Sequence, residues 1–360
     1  MPAVRVTSER PRWRRWSRAV PGLIVVLLLG WVVFDALTEV EVAQPALAAP
    51  VIPPLAPLPV APLPSETAPP ATESAVPGPE SPCTGRPART GAPVLAVKID
   101  NVAQARPHTG LEHADIVYVE PVEAGLTRLI AVFCSGAPEV VGPVRSVRET
   151  DLELLAQFGR PALAFSGGAP ELLPLVDRAP LVRLSPAQAA AGYFRSSDRQ
   201  MPHNLYARPA VLTASSGAGP VPDLGWRFGD PPEGGVPTPG RSVRYERAEV
   251  AARWSPEEAR WLVSMDGAPL VTTARSRVGA ATVIIQRVPV RSSPYSDVLG
   301  YNSPFAGTVG AGEALVLRDG QAFQAKWSRS SPSAATAFSR PSGELMTFAR
   351  GPVWIVLAPA

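Results

Sequence analysis

From Pro45 to Pro82 the chain places 13 prolines in 38 residues. No helix or sheet tolerates that density, because each ring fixes φ and removes a backbone donor. With little apolar surface to bury, residues 37–82 are expected to form a disordered, semi-rigid spacer, reaching about 120 Å if drawn out as polyproline II. The alternative for such a stretch is a docking track for proline-reading modules, but no basic-flanked PxxP stands out. A folded body is thereby confined to residues 83–360, room for one large or two ordinary domains.

What precedes the spacer sets the address. Six arginines and one acid lie before residue 19, giving +5, and Ala19–Phe34 is a run of 16 residues without a charge. As a helix that run spans about 24 Å, short of a hydrocarbon core of about 30 Å, so Arg18 must snorkel and Ala36-Leu37 extend it past Asp35. The reading is a basic cytoplasmic segment, 1–18, and an uncleaved transmembrane anchor, 19–36. The positive-inside rule then holds the body outside the cytoplasm, in a single-pass protein of the cell membrane. The rival is a cleaved signal peptide ending at Ala46-Leu47-Ala48, which would leave the body secreted.

Charge excludes another class. Asp35–Pro82 carries six acids and no base, and 83–360 carries 28 basic and 24 acidic residues. A body at +4 with no Lys/Arg stripe is not expected to bind nucleic acid, despite a pI near 9.1. Arginine outnumbers lysine 32 to 2, a bias typical of a G+C-rich bacterial genome. Three histidines, none at metal-ligand spacing, predict neither a metal site nor a cofactor. Cys83 and Cys134 are an even pair in an oxidising compartment, and a disulfide is preferred to two buried thiols.

Within the body, 83–214 reads as an α+β or α/β domain. Val94–Ile99, Asp115–Val119, Leu126–Cys134 and Ala162–Phe165 have strand patterns. Ser146-Val147-Arg148-Glu149 has the form of a capping box opening a helix, and Glu171–Asp177 reads as another. Gly and Pro crowd 215–240, a connector. Residues 241–360 then read as a mostly β domain, with strands over Arg241–Trp254, Arg260–Met265, Ala280–Val290, Ala314–Leu317, Ala322–Trp327 and Val353–Leu357. Asp266-Gly267 and Asp319-Gly320 are hairpin-turn dipeptides.

Several strings are distinctive together: Lys98-Ile99-Asp100-Asn101, Ala105-Arg106-Pro107-His108-Thr109-Gly110, Val122-Glu123-Ala124-Gly125-Leu126-Thr127-Arg128, Val141-Gly142-Pro143-Val144-Arg145-Ser146-Val147-Arg148 and Met201-Pro202-His203-Asn204. On these residues the chain resembles the YerB-like family of bacterial lipoproteins, defined by domains of unknown function. The resemblance covers roughly 83–360, including Gly320–Trp327 and Gly351–Ile355. It implies an extracytoplasmic, two-part protein and supplies no activity. Two departures stand out. The lipidated N-terminal cysteine common in the family is missing, and Ala124 stands where a Gly-Gly pair is usual.

The residues themselves offer several chemistries. Arg145 and Arg148 sit at the start of a predicted helix, where cations oppose the dipole unless an anion joins them. Glu149 and Asp151 are the blander partners. Lys98, Asp100 and Asn101 cluster where a strand meets a loop, with Arg106 following. Glu120 and Glu123 flank a turn before Arg128. They read either as a carboxylate pair for glycoside hydrolysis or as hairpin salt bridges to Arg128. Ala164-Phe165-Ser166-Gly167-Gly168 resembles a nucleophile elbow with Asp198 and His203 in hydrolase order, yet a tight strand-to-helix turn explains its glycines equally. His203 and Asn204 read as a ligand-facing loop or a loop cross-link. The expected function is binding of a cell-wall ligand, an anionic glycan or peptide, in preference to a wall-directed hydrolase using Glu120/Glu123 or Ser166, or a scaffold for envelope complexes.

Overall fold

The computed structural model describes residues 79–88, 91–214, 216–297 and 299–360. The expected cytoplasmic segment, anchor and nearly all of the spacer lie outside them. No helix among the described residues is long and apolar enough to cross a membrane.

The N-terminal half contributes β1 (Leu95–Asp100), β2 (Ile116–Pro121), β3 (Thr127–Phe133), β4 (Ala162–Ala164), β5 (Val182–Leu184), β6 (Tyr193–Arg195) and β7 (Leu205–Ala207). Its helices are short: α1 (Glu149–Leu155), α2 (Leu173–Arg178) and α3 (Pro209–Thr213). After two short strands, β8 (Arg227–Phe228) and β9 (Val236–Pro237), come β10 (Gly240–Arg244), β11 (Glu249–Ser255), β12 (Arg260–Met265), β13 (Ala268–Pro269) and β14 (Gly279–Ala280). The remainder is β15 (Thr282–Val288), β16 (Val290–Ser296), β17 (Asn302–Ala306), β18 (Gly310–Arg318), β19 (Gln321–Arg329), β20 (Ala337–Ser339), β21 (Thr347–Phe348) and β22 (Val353–Pro359). The molecule is mostly strand with few helices, and its C-terminal part is β-rich.

One sheet runs through both halves, in the order β20-β19-β18-β15-β22-β2-β3-β1-β4-β5. Its joint is β22, parallel to β15 on one side and to β2 on the other. That explains the unbroken run Val353-Trp354-Ile355-Val356-Leu357: a strand covered on both faces has no polar position to spare. Ile355 and Leu357 join Tyr118, Ile130 and the α1 leucines Leu154 and Leu155 on one face. Trp354 and Val356 join Val119, Leu129 and the β12 residues Trp261 and Val263 on the other. The second sheet, β10 to β14, thus packs across the back of the first, while α1 covers the front.

Two local expectations change. Arg241–Trp254 is not one strand; Tyr245 N–H bonds the Ala248 carbonyl at 2.8 Å and closes a hairpin between β10 and β11. Nor does Ser146 begin the first helix. Arg148 is the N-cap, and Asp151 accepts its N–H at 2.7 Å, so the reaching carboxylate is Asp151 rather than Glu149. Both Asp-Gly pairs do turn hairpins, with positive φ at Asp266, Gly267, Asp319 and Gly320. Cys83 and Cys134 are joined in a disulfide.

Candidate functional site

Strand parity builds the site. Side chains two apart share a face, so Lys98 and Asp100 of β1 project to the α1 side with Glu120 of β2 and Arg128 of β3. Register sets Arg128 opposite both Asp100 and Glu120. The first turn of α1 then lowers Arg148 and Asp151 onto this end of the sheet.

Two charge clusters result. The first is closed. Lys98 lies between Glu120, in direct hydrogen bond, and Asp151 Oδ1 at 2.6 Å, and all three side chains are fully buried. Burial, then the Asp151 charge, push the Glu120 carboxyl up to about 8 against the pull of Lys98. Burial thus favours the neutral form of Glu120 beside the Lys98–Asp151 ion pair. Glu120 Oε2 has no hydrogen-bond partner.

The second cluster is open. Glu123 receives Arg148, whose Nη2 stands 2.9 Å from Oε2, and the Ser303 hydroxyl; Arg128 lies 3.8 Å away. Burial alone would raise the Glu123 pKa, but the Arg148 hydrogen bond and charge outweigh it and hold the carboxyl at about 2. Asp100 Oδ2 faces Arg145 Nε at 3.0 Å and His203 Nδ1 at 2.7 Å. Arg128, Arg145 and Arg148 line one cavity of about 170 Å³, walled on its far side by Ser296 and Asp297 at the tip of the β16–β17 hairpin. Burial and the neighbouring Arg148 cation bring Arg128 down to about 10. Arg145 Nε and Arg148 Nε are buried without a hydrogen bond, their ion pairs lying off the N–H direction.

The remaining predicted residues stand apart from the cavity. Asn101 donates to Thr127 Oγ1 at 2.9 Å, and Arg106 ties the Asn101 carbonyl to Asp266 at 2.7 Å, joining β1 to the second sheet. Asn204 accepts from Arg195 at 2.7 Å and donates to the Ser196 carbonyl, a loop cross-link. His203 turns to Asp100, and the exposed Asp198 is not its acid partner. The Ser166–Asp198–His203 order is thus not assembled as a triad. Glu120 and Glu123 face separate basic partners, not each other across open space. No group of three or more His, Cys, Asp or Glu positioned for a metal occurs among the described residues.

The unusual alanine sits in the turn between β2 and β3. Ala124 has φ 56° and ψ 28°, the left-handed region where glycine is at ease, and Gly125 follows at φ 68°. An alanine there costs about 1 kcal/mol.

Comparison with known proteins now decides the family. The "Protein of unknown function (DUF3048) N-terminal domain" matches residues 83–219, and its C-terminal counterpart matches 241–355. The chain belongs to this family, the YerB-like proteins. "Putative lipoprotein YerB" of Bacillus subtilis (strain 168) is 51% identical over 55 residues, 15% of this chain and 17% of that protein's length. A crystal structure of YerB from Bacillus subtilis superposes with a TM-score of 0.65 at 20% identity, over 78% of this chain and 97% of that one, a likeness of fold. Ser303, Ser296 and Asp297 were not singled out from the sequence. They come from the other half, and no local pattern marks a residue that meets Glu123 from 180 positions away.

Proposed function

We propose that this YerB-like protein is an extracytoplasmic binding protein whose arginine cavity takes an anionic group of a cell-envelope ligand, glycan or peptide. The observation that carries the reading is charge. Arg128, Arg145 and Arg148 converge on one cavity whose lining carries a single carboxylate, Asp297, while Asp100 and Glu123 pair with the arginines from outside that lining. A carboxylate or phosphate offers the charged acceptor that a guanidinium fork prefers. The Cys83–Cys134 disulfide fits an oxidising compartment, and the lipoprotein name of the Bacillus subtilis relative fits attachment at a membrane. On this reading residues 19–36 hold the chain in the cytoplasmic membrane, 37–82 carry the body outward, and an α+β half presents the site beside a β half.

The test is co-sedimentation of the purified body with cell-wall fragments. Wild type should be retained, Arg145→Ala should bind about tenfold more weakly, and Arg145→Lys should fall between them. Equal retention of wild type and Arg145→Ala, or none of either, overturns the proposal.

A further inference from the structure

A larger cavity lies elsewhere, along the outer edge of the second sheet. A groove of about 670 Å³ runs between β10 and the face of the main sheet, and a continuation of about 360 Å³ shares Arg241, Leu315 and Gln324 with it. Ile285 and Leu315 form part of an apolar floor.

β10 is an edge strand, paired on one side alone by β11. The ladder bonds Tyr245 to Ala248 and Trp254 to Pro239 fix its parity. Antiparallel pairs alternate between bonded and non-bonded residues. Arg241 and Val243 therefore bond to β11, and the backbone N–H and C=O of Ser242 and Arg244 turn outward along the groove. Gly240 also faces out, but its carbonyl already accepts from Thr238 and Arg241. The walls carry Arg241, Arg244, Arg287 and Arg340 against Glu233 and Glu313. Neither Arg241 nor Arg287 has a carboxylate within ion-pair distance among the described residues; Arg287 reaches only the Pro359 carbonyl, at 3.0 Å.

We infer that this groove binds an extended acidic peptide segment, added as a further strand to β10. Main-chain bonds to Ser242 and Arg244 supply the register, and acidic side chains meet the unpaired guanidiniums. A β10 of five residues spans about 17 Å and matches a peptide of five or six residues. The site is independent of the arginine cavity, which is built from other residues.

The experiment is fluorescence polarisation with a fluorescein-labelled hexapeptide of alternating Glu and Thr, against the Lys/Thr counterpart. The acidic peptide should bind and the basic one should not. Ser242→Pro removes one outward N–H while leaving the β10–β11 ladder intact, and should weaken binding about tenfold. Arg241→Glu/Arg287→Glu changes exposed side chains and should abolish binding, whereas Arg145→Ala should leave it unchanged. Undiminished binding by a folded Ser242→Pro, equal binding of both peptides, no binding of either, or light scattering that shows β10 occupied by a second copy would each overturn the inference.

Discussion

Two charge clusters share the front of one sheet and share a helix turn, yet they are built to opposite ends. Around Lys98 the two carboxylates outnumber the cation and water is shut out completely. Around Glu123 and Asp100 three arginines line a cavity that holds one carboxylate, Asp297, and Arg145 keeps a quarter of its side chain exposed. Asp151 links the two, giving Oδ1 to Lys98 and Oδ2 to the Arg148 N–H. In the closed cluster the surplus acid, Glu120, is neutralised by a proton because nothing else can enter. In the open one the arginines line a cavity, and Arg145 has access to solvent. Burial separates the charges sealed within the fold from those left open to solvent.

The strongest way to break this contrast is to remove Lys98. Lys98→Ala strips Asp151 and Glu120 of their shared cation in a dry site, and breaking a buried pair by deleting one partner costs about 3–5 kcal/mol. Urea denaturation reads the loss directly. Lys98→Met/Asp151→Asn should recover part of it, since no bare charge remains. A cost below about 1 kcal/mol for Lys98→Ala would mean that water reaches the trio, and the contrast between closed and open would collapse.

Next in size is a pH effect of opposite sign at two nearby glutamates. Glu120 titrates near 8 in the folded state against an ordinary value of 4.5. Between those values the folded chain keeps a proton the unfolded chain has released, so its contribution is full below about 4.5 and is lost as pH rises through 8. Glu123 titrates at about 2, so its contribution is full above 4.5 and is lost as pH falls toward 2. Either group imposes a slope of at most about 1.4 kcal/mol per pH unit. Stability should fall in wild type from about pH 5 through 7 to 9 and fall less in Glu120→Gln, while the loss from about pH 5 to 3 should be the same in both. Identical slopes in the two proteins would remove Glu120 as the buried acid.

Much of this arrangement was legible in the chain. Short apolar runs located β1, β2 and β3, and strand parity sets Lys98, Asp100 and Glu120 on one face. The Asp-Gly turns announced themselves because few residues accept positive φ twice. Other features left no local trace. The β10–β11 turn runs through Tyr245-Glu246-Arg247-Ala248, without Gly, Pro or Asn, so alternation continued across it. The insertion of β22 between β15 and β2 joins residues far apart in sequence, and its apolar run says only that both faces are covered. The helix cap went to Asp151 because Lys98 and the Arg148 N–H jointly fix that carboxylate, a tertiary constraint on a local choice. Lys98, Glu120 and Asp151 were recognised as candidates, but their closure from solvent depends on α1 and strands of both halves.

The smallest expected effect is the one that separates binding from stability. Arg145→Ala removes a guanidinium already a quarter exposed, and its partner Asp100 keeps His203 at 2.7 Å. Nothing fully buried is stripped of its last partner, so the stability loss should stay within about 1 kcal/mol. On the proposed reading the same change should reduce ligand retention about tenfold, because Arg145 is the most exposed of the three cavity guanidiniums. Thermal melts on the samples used for co-sedimentation give both quantities at once. A loss of several kcal/mol with retention unchanged would make Arg145 a strut of the fold, and the open cluster would then be a second closed one.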